Sequence, residues 1–132
     1  MLRVVPVLVL VAALAAGCGV RTSKPYTATG TAPCLKSKGF TGVTTAPKSF
    51  IAATAQNGGL QARAPDGNVV TIAFAADEGS VPQTEAAFRR FATGIYKKRL
   101  DTVMSADRNA VLVWGVTPDG DVADTARRCL KP

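Results

Sequence analysis

The sequence predicts an α+β domain: an antiparallel sheet with helices on one face, in the ferredoxin-like order β-α-β-β-α-β, followed by a C-terminal helix. Three observations carry this expectation. Residues 60–64 and 69–75 are β-prone runs on either side of Pro65-Asp66-Gly67-Asn68, a turn in which proline presets φ and glycine accepts a positive φ. Residues 80–95 repeat apolar side chains at helical spacing, and residues 110–114 form an apolar strand followed by a helix-start signal. The first helix of this order is short for the fold, so a less regular α+β arrangement stays open.

The elements follow in order. Phe40, Gly42, Val43 and Thr45 lie in a β-prone stretch that Pro47 ends, the first strand. Ser49 is placed to cap a short helix over residues 50–56, because its hydroxyl accepts from an orphan amide, and Asn57-Gly58-Gly59 supplies the stop. The strands around the Pro65 turn form a hairpin, with Val70, Ile72 and Phe74 on one face. Ser80 to Gln83 has capping-box spacing, with Pro82 tolerated in the first turn. From there Phe88, Phe91, Ala92 and Ile95 form one buried stripe of a long helix, which Gly94 weakens slightly. Residues 101–109 are polar, with room for a short strand and a turn. Ala110-Val111-Leu112-Val113-Trp114 is apolar enough for cover on one or both faces. Thr117 and Pro118 read as cap and first residue of the last helix, whose positive end gathers Asp119, Asp121 and Asp124. Val122, Thr125, Ala126 and Cys129 then point to the core.

The N-terminus is organised differently. One basic residue, Arg3, precedes an apolar run from Val4 to Ala16 broken only by Pro6, and the run closes as Leu14-Ala15-Ala16-Gly17-Cys18. That is the build of a secretory signal peptide and is too short for a comfortable membrane span. The pattern resembles the bacterial lipobox, although its leucine stands one place further from the cysteine than the usual pattern has it. The resemblance implies diacylglyceryl modification of the Cys18 thiol, cleavage before it, and a lipid-anchored protein on the extracytoplasmic face of the bacterial cell membrane. Together with the Ala- and Val-rich composition, it makes the chain similar to the small lipoproteins of high-GC bacteria. Cleavage after Ala13-Leu14-Ala15 is the competing reading and would release a soluble secreted protein. The expected organisation is a signal peptide over 1–17, a lipidated cysteine and flexible tether over 18–33, and a single domain over 34–132.

The chain has three cysteines. If Cys18 carries lipid, Cys34 and Cys129 remain as a pair in an oxidising compartment, where thiols are expected to join. A disulfide between them would tie the start of the domain to its last helix.

Charge and composition narrow the function classes. The chain is +7 with no histidine, and without Arg3 the balance is +6. A basic exported protein is attracted to anionic lipid head groups or envelope polymers. Arg89, Arg90, Lys97 and Lys98 are the candidate anion contacts, Arg90 and Lys97 sharing a helical face through their seven-residue spacing. A solvated helix back is the plainer account of the same four residues. The absence of histidine removes the commonest general base and metal ligand. No catalytic residues, metal or cofactor are expected: Asp119-Gly120-Asp121 lacks the spacing of a calcium loop, and Gly58-Gly59 does not precede a helix as a phosphate loop would. Nucleic acid is not an expected partner. The expected function is therefore non-enzymatic, a membrane-anchored domain for binding or assembly in the cell envelope, with an anionic-polymer or head-group module as the alternative.

Overall fold

The structure is a computed structural model that describes residues 23–132. The expected signal peptide and lipidated Cys18 lie outside the described residues. Eleven elements follow among the described residues: α1 (Ala28–Ser37), β1 (Thr41–Thr44), α2 (Phe50–Ala53), β2 (Gly59–Arg63), β3 (Val69–Phe74), a 3-10 turn (Glu78–Ser80), α3 (Val81–Phe91), α4 (Gly94–Val103), β4 (Met104–Asp107), β5 (Ala110–Trp114) and α5 (Gly120–Arg128). The class is α+β, with five antiparallel strands in the order β1-β2-β3-β5-β4.

The central hairpin forms as its turn sequence requires. Gly59 pairs with Ala73 and Arg63 with Val69 in an unbroken register. Gly67 takes φ +89°, the Ala64 amide donates to the Asn68 carbonyl at 2.7 Å, and the Asp66 carboxylate accepts from the Asn68 amide at 2.9 Å. Asn68 also reaches across to the end of β5, donating from Nδ2 to the Val116 carbonyl at 2.9 Å.

Alternation along these strands separates two apolar faces. Leu60, Val70, Ile72, Phe74, Leu112 and Trp114 share one face, and all are buried. The opposite face carries Gly59, Thr71, Ala73, Val111 and Val113. All five residues of β5 are buried, which requires cover on both sides. On the Gly59 face lie α2, α3 and α4. A Cβ on Gly59 would collide with the Ala52 carbonyl, so glycine lets α2 lie directly on β2. The other face is closed by α1 and α5, which the Cys34–Cys129 disulfide joins with Cα atoms 5.2 Å apart.

Several expectations are corrected. The ferredoxin-like order would set the last strand beside β1; instead β1 is an edge strand paired only with β2, and β5 pairs with β3. Helices cover both faces rather than one, because two-sided burial of β5 leaves no solvent face. The expected tether does not extend to Pro33. Residues 28–37 are helix α1, with Pro33 inside it and the Thr27 hydroxyl accepting from the Gly30 amide at 3.0 Å. Local propensity hides this helix, since glycine, proline and threonines weaken it. Tertiary contacts hold it: Ala28, Thr31, Ala32 and Leu35 are buried, and Cys34 is covalently fixed.

The long helix expected after Ser80 is two helices. The Ser80 hydroxyl makes no cap; it donates to Asp77 Oδ1 at 2.8 Å, and Asp77 also accepts from the Ser80 amide. Ala92 then leaves the helix with ψ 140°, and Gly94 enters the left-handed region at φ +60°, so α4 departs in a new direction. Phe91 and Ile95, expected in a buried stripe, are 66% and 67% exposed. The last helix is capped by Asp119 rather than Thr117, its carboxylate accepting from the Asp121 amide.

Candidate functional site

The break between α3 and α4 opens a concavity. Three sequence features build it. Ser49 caps α2, accepting from the Ala52 amide and holding Phe50 and Ile51 at the helix start. The Ala92-Thr93-Gly94 bend swings α4 away and leaves Phe88, Phe91 and Tyr96 around a gap. Thr71 and Val113, paired across β3 and β5, form the floor. The resulting cleft has a volume of about 620 Å³ and is lined by Ser49, Phe50, Ile51, Thr71, Phe88, Phe91, Ala92, Thr93, Tyr96 and Val113.

Its chemistry is apolar. No charged side chain belongs to that lining, and the hydroxyls of Ser49, Thr71 and Thr93 are its small polar groups. Tyr96 spans the wall and donates its hydroxyl to the Trp114 carbonyl at 2.9 Å, which fixes the ring and leaves its apolar side toward the gap. Burial pushes the Tyr96 phenol above its ordinary value of 10.0. At the mouth stand Phe50, 74% exposed, and Phe91. Exposed phenyl rings flanking a cavity mark a surface that gains by being covered. A second hollow of about 310 Å³ continues between α2 and α3 toward Ala75 and Ala76.

The cationic residues do not converge as their spacing suggested. Arg89 donates to Asp101 Oδ1 at 2.6 Å, bridging α3 to α4 on the exposed side. Arg90 ends in α3 and Lys97 belongs to α4, so the seven-residue spacing across the bend does not put them on one helical face. Arg90, Lys97 and Lys98 are all exposed, and none lines the cleft. Cys34 and Cys129 are disulfide-bonded. Among the described residues no group of three or more Cys, Asp or Glu side chains gathers as metal ligands, and no helix is long and apolar enough to cross a membrane.

Two features escaped sequence reasoning. Phe50 follows its cap in a four-residue helix too short to cover it, and that shortness is the only local sign of an exposed ring. Asn109 gave no sign at all. Its side chain is 2% exposed and clamps Tyr26: the Tyr26 amide donates to Oδ1 at 2.8 Å, while Nδ2 donates to the carbonyls of Tyr26 and Ala75, each at 2.9 Å. No protein-family model, curated protein or solved structure matches the chain, so its function is read from its own residues.

Proposed function

We propose that the chain is an exported lipoprotein, anchored to the extracytoplasmic face of the cell membrane through Cys18, whose disulfide-closed domain holds an acyl chain in the cleft between α2 and the α3–α4 bend. The observation that carries the ligand reading is a 620 Å³ apolar cleft with two exposed phenylalanines at its mouth. That volume lies within the roughly 300–1,000 Å³ of small-molecule sites. Walls without charge suit an uncharged hydrocarbon segment, and the open side lets a polar head stay in water. The anchor is supported by the lipobox-like run that ends at Cys18 and by the pairing of the other two cysteines. A polyanion site on Arg89, Arg90, Lys97 and Lys98 is less favoured, because Arg89 is already engaged with Asp101 and the bend separates the rest.

The test is binding of 1-N-phenylnaphthylamine, followed by fluorescence and displaced by palmitate. Phe91→Asp and Phe50→Asp change exposed residues and are expected to weaken binding about tenfold, as loss of some 50 Å² of covered apolar area at about 25 cal/mol per Å² implies. Their melting temperatures should stay near that of the parent. Unchanged binding in both variants, or no displacement by palmitate, overturns the ligand reading. Mass spectrometry of the N-terminal peptide tests the anchor separately: an unmodified N-terminus at Ala16 replaces it with a secreted soluble protein.

A further inference from the structure

The structure assigns an orientation to the anchored domain. We propose that the end carrying Lys24, Tyr26, Arg108 and Lys131 rests against the head groups of the anchoring bilayer. This rests on the reading of Cys18 as the anchor.

The argument begins with where the domain takes hold of its N-terminal segment. Arg108 Nη2 donates to the Lys24 carbonyl at 2.9 Å, and its guanidinium lies 4.3 Å from the centre of the Tyr26 ring. Asn109 clamps both backbone groups of Tyr26, and the Thr27 amide donates to the Lys131 carbonyl at 2.9 Å. The strap therefore crosses the sheet end at the β4–β5 turn, then enters α1. Arg108 itself stands at φ +51°, a conformation that a non-glycine residue adopts at a cost. The turn thus spends backbone strain on presenting this side chain to the strap.

From Cys18 to Lys24 there are six peptide steps. Even fully extended these span only about 20–22 Å. A tether reaching to Pro33 would leave fifteen such steps; a hold at Lys24 leaves six and keeps this end of the domain near the anchor. Whatever conformation the linking residues take, Lys24 stays within that distance of the acylated cysteine, whereas a domain of this size is roughly 35 Å across.

Chemistry at this end suits a head-group surface. Lys24 and Lys131 are exposed, and Arg108 is half-buried against Tyr26. The nearby carboxylates are Asp107 beside Arg108 and, past Ala76, Asp77 and Glu78, of which Asp77 is engaged with Ser80. Lys24 is on the strap, Arg108 and Lys131 belong to segments that bond to it, and a tyrosine among them matches the interfacial preference of amphipathic aromatic rings. The cleft opens on the Gly59 face of the sheet, between α2 and the α3–α4 bend. Its floor pair Thr71 and Val113 sits near the middle of the sheet, and Tyr96 bonds to Trp114 on the side away from Phe74 and Ala110.

The test uses the full mature protein reconstituted on vesicles, with lysines acylated by a water-soluble N-hydroxysuccinimide ester and read by peptide mass spectrometry. On vesicles of phosphatidylcholine with phosphatidylglycerol, Lys24 and Lys131 are expected to label about fivefold more slowly than without vesicles, and Lys97 and Lys98 at an unchanged rate. The protection should shrink with phosphatidylcholine alone and at 1 M salt, where the Debye length falls to about 3 Å. Lys24→Glu, which leaves the Lys24 carbonyl in place, should reduce protection of Lys131. Equal labelling of all four lysines overturns the orientation, and so does preferential protection of Lys97 and Lys98. The N-terminal peptide in the same digest reports the anchor: loss of its acyl mass overturns the anchor reading whatever the lysines do, and an acylated N-terminus with unprotected Lys24 and Lys131 overturns only the orientation.

Discussion

Replacing Asn109 with alanine tests whether the strap is part of the fold. The side chain makes three hydrogen bonds, two to Tyr26 and one to Ala75. Each such bond contributes about 1 kcal/mol net, and a buried partner left unsatisfied costs more. The Ala75 carbonyl keeps a second donor, Asn57 Nδ2 at 2.8 Å, so it is not orphaned. Tyr26 is only half-buried, so water replaces part of what its amide and carbonyl lose. The expected loss for Asn109→Ala is therefore about 2–3 kcal/mol, toward the lower end of what three bonds would suggest. In a domain of about 100 residues that lowers the melting temperature by roughly 10–20 °C. Urea denaturation should show a lower midpoint, and hydrogen exchange should show the Tyr26 amide losing protection before the β3 and β5 amides do. A loss below about 1 kcal/mol, or an unchanged Tyr26 exchange rate, would refute the reasoning. Asn109→Asp sharpens the test. A carboxylate facing the Tyr26 and Ala75 carbonyls resists ionisation, so its pKa rises in the fold; stability is retained under acid conditions and lost as pH rises toward neutrality.

Three further outcomes are expected. Reduction of the disulfide, or Cys129→Ser, opens a loop whose ends are 95 residues apart and should cost on the order of 4 kcal/mol on the chain-entropy account, seen as a large drop in the denaturation midpoint; an equal midpoint for the reduced protein would contradict it. Tyr96 keeps its proton to higher pH in the fold than in the unfolded chain, so its contribution to stability is complete below pH 10.0 and disappears as pH rises through the raised value. Absorbance titration near 295 nm should show this late ionisation and should lose it in Tyr96→Phe. Gly59→Ala drives a methyl into the Ala52 backbone and should cost about 1–3 kcal/mol while displacing α2 and weakening cleft binding. Full stability with unchanged binding would mean that α2 does not depend on this close approach.

Local chemistry was legible wherever it acts over a few residues. Pro65-Asp66-Gly67-Asn68 specified its turn, and the alternation of Val70, Ile72 and Phe74 specified a buried face. Ser49 specified a cap, and the partnership of Cys34 with Cys129 followed from counting thiols. Helix α1 was illegible because its stability lies in burial and a covalent bond to α5, far away in the chain. The α3–α4 bend was misread because Phe91, Ala92 and Ile95 continue the helical spacing through it, and spacing does not register a backbone that changes direction at Gly94.

The amino-acid sequence by itself determined the α+β class, the central hairpin and the disulfide partners, because each depends on neighbouring residues or on composition. Only the tertiary structure decided which strand lies beside which, that helices cover both faces, that an apolar cleft opens at the bend, and that Asn109 grips Tyr26 across 83 residues. The reason is physical: a turn or a cap is settled by a few adjacent backbone groups, whereas strand order and cavities come from how distant apolar faces exclude water together.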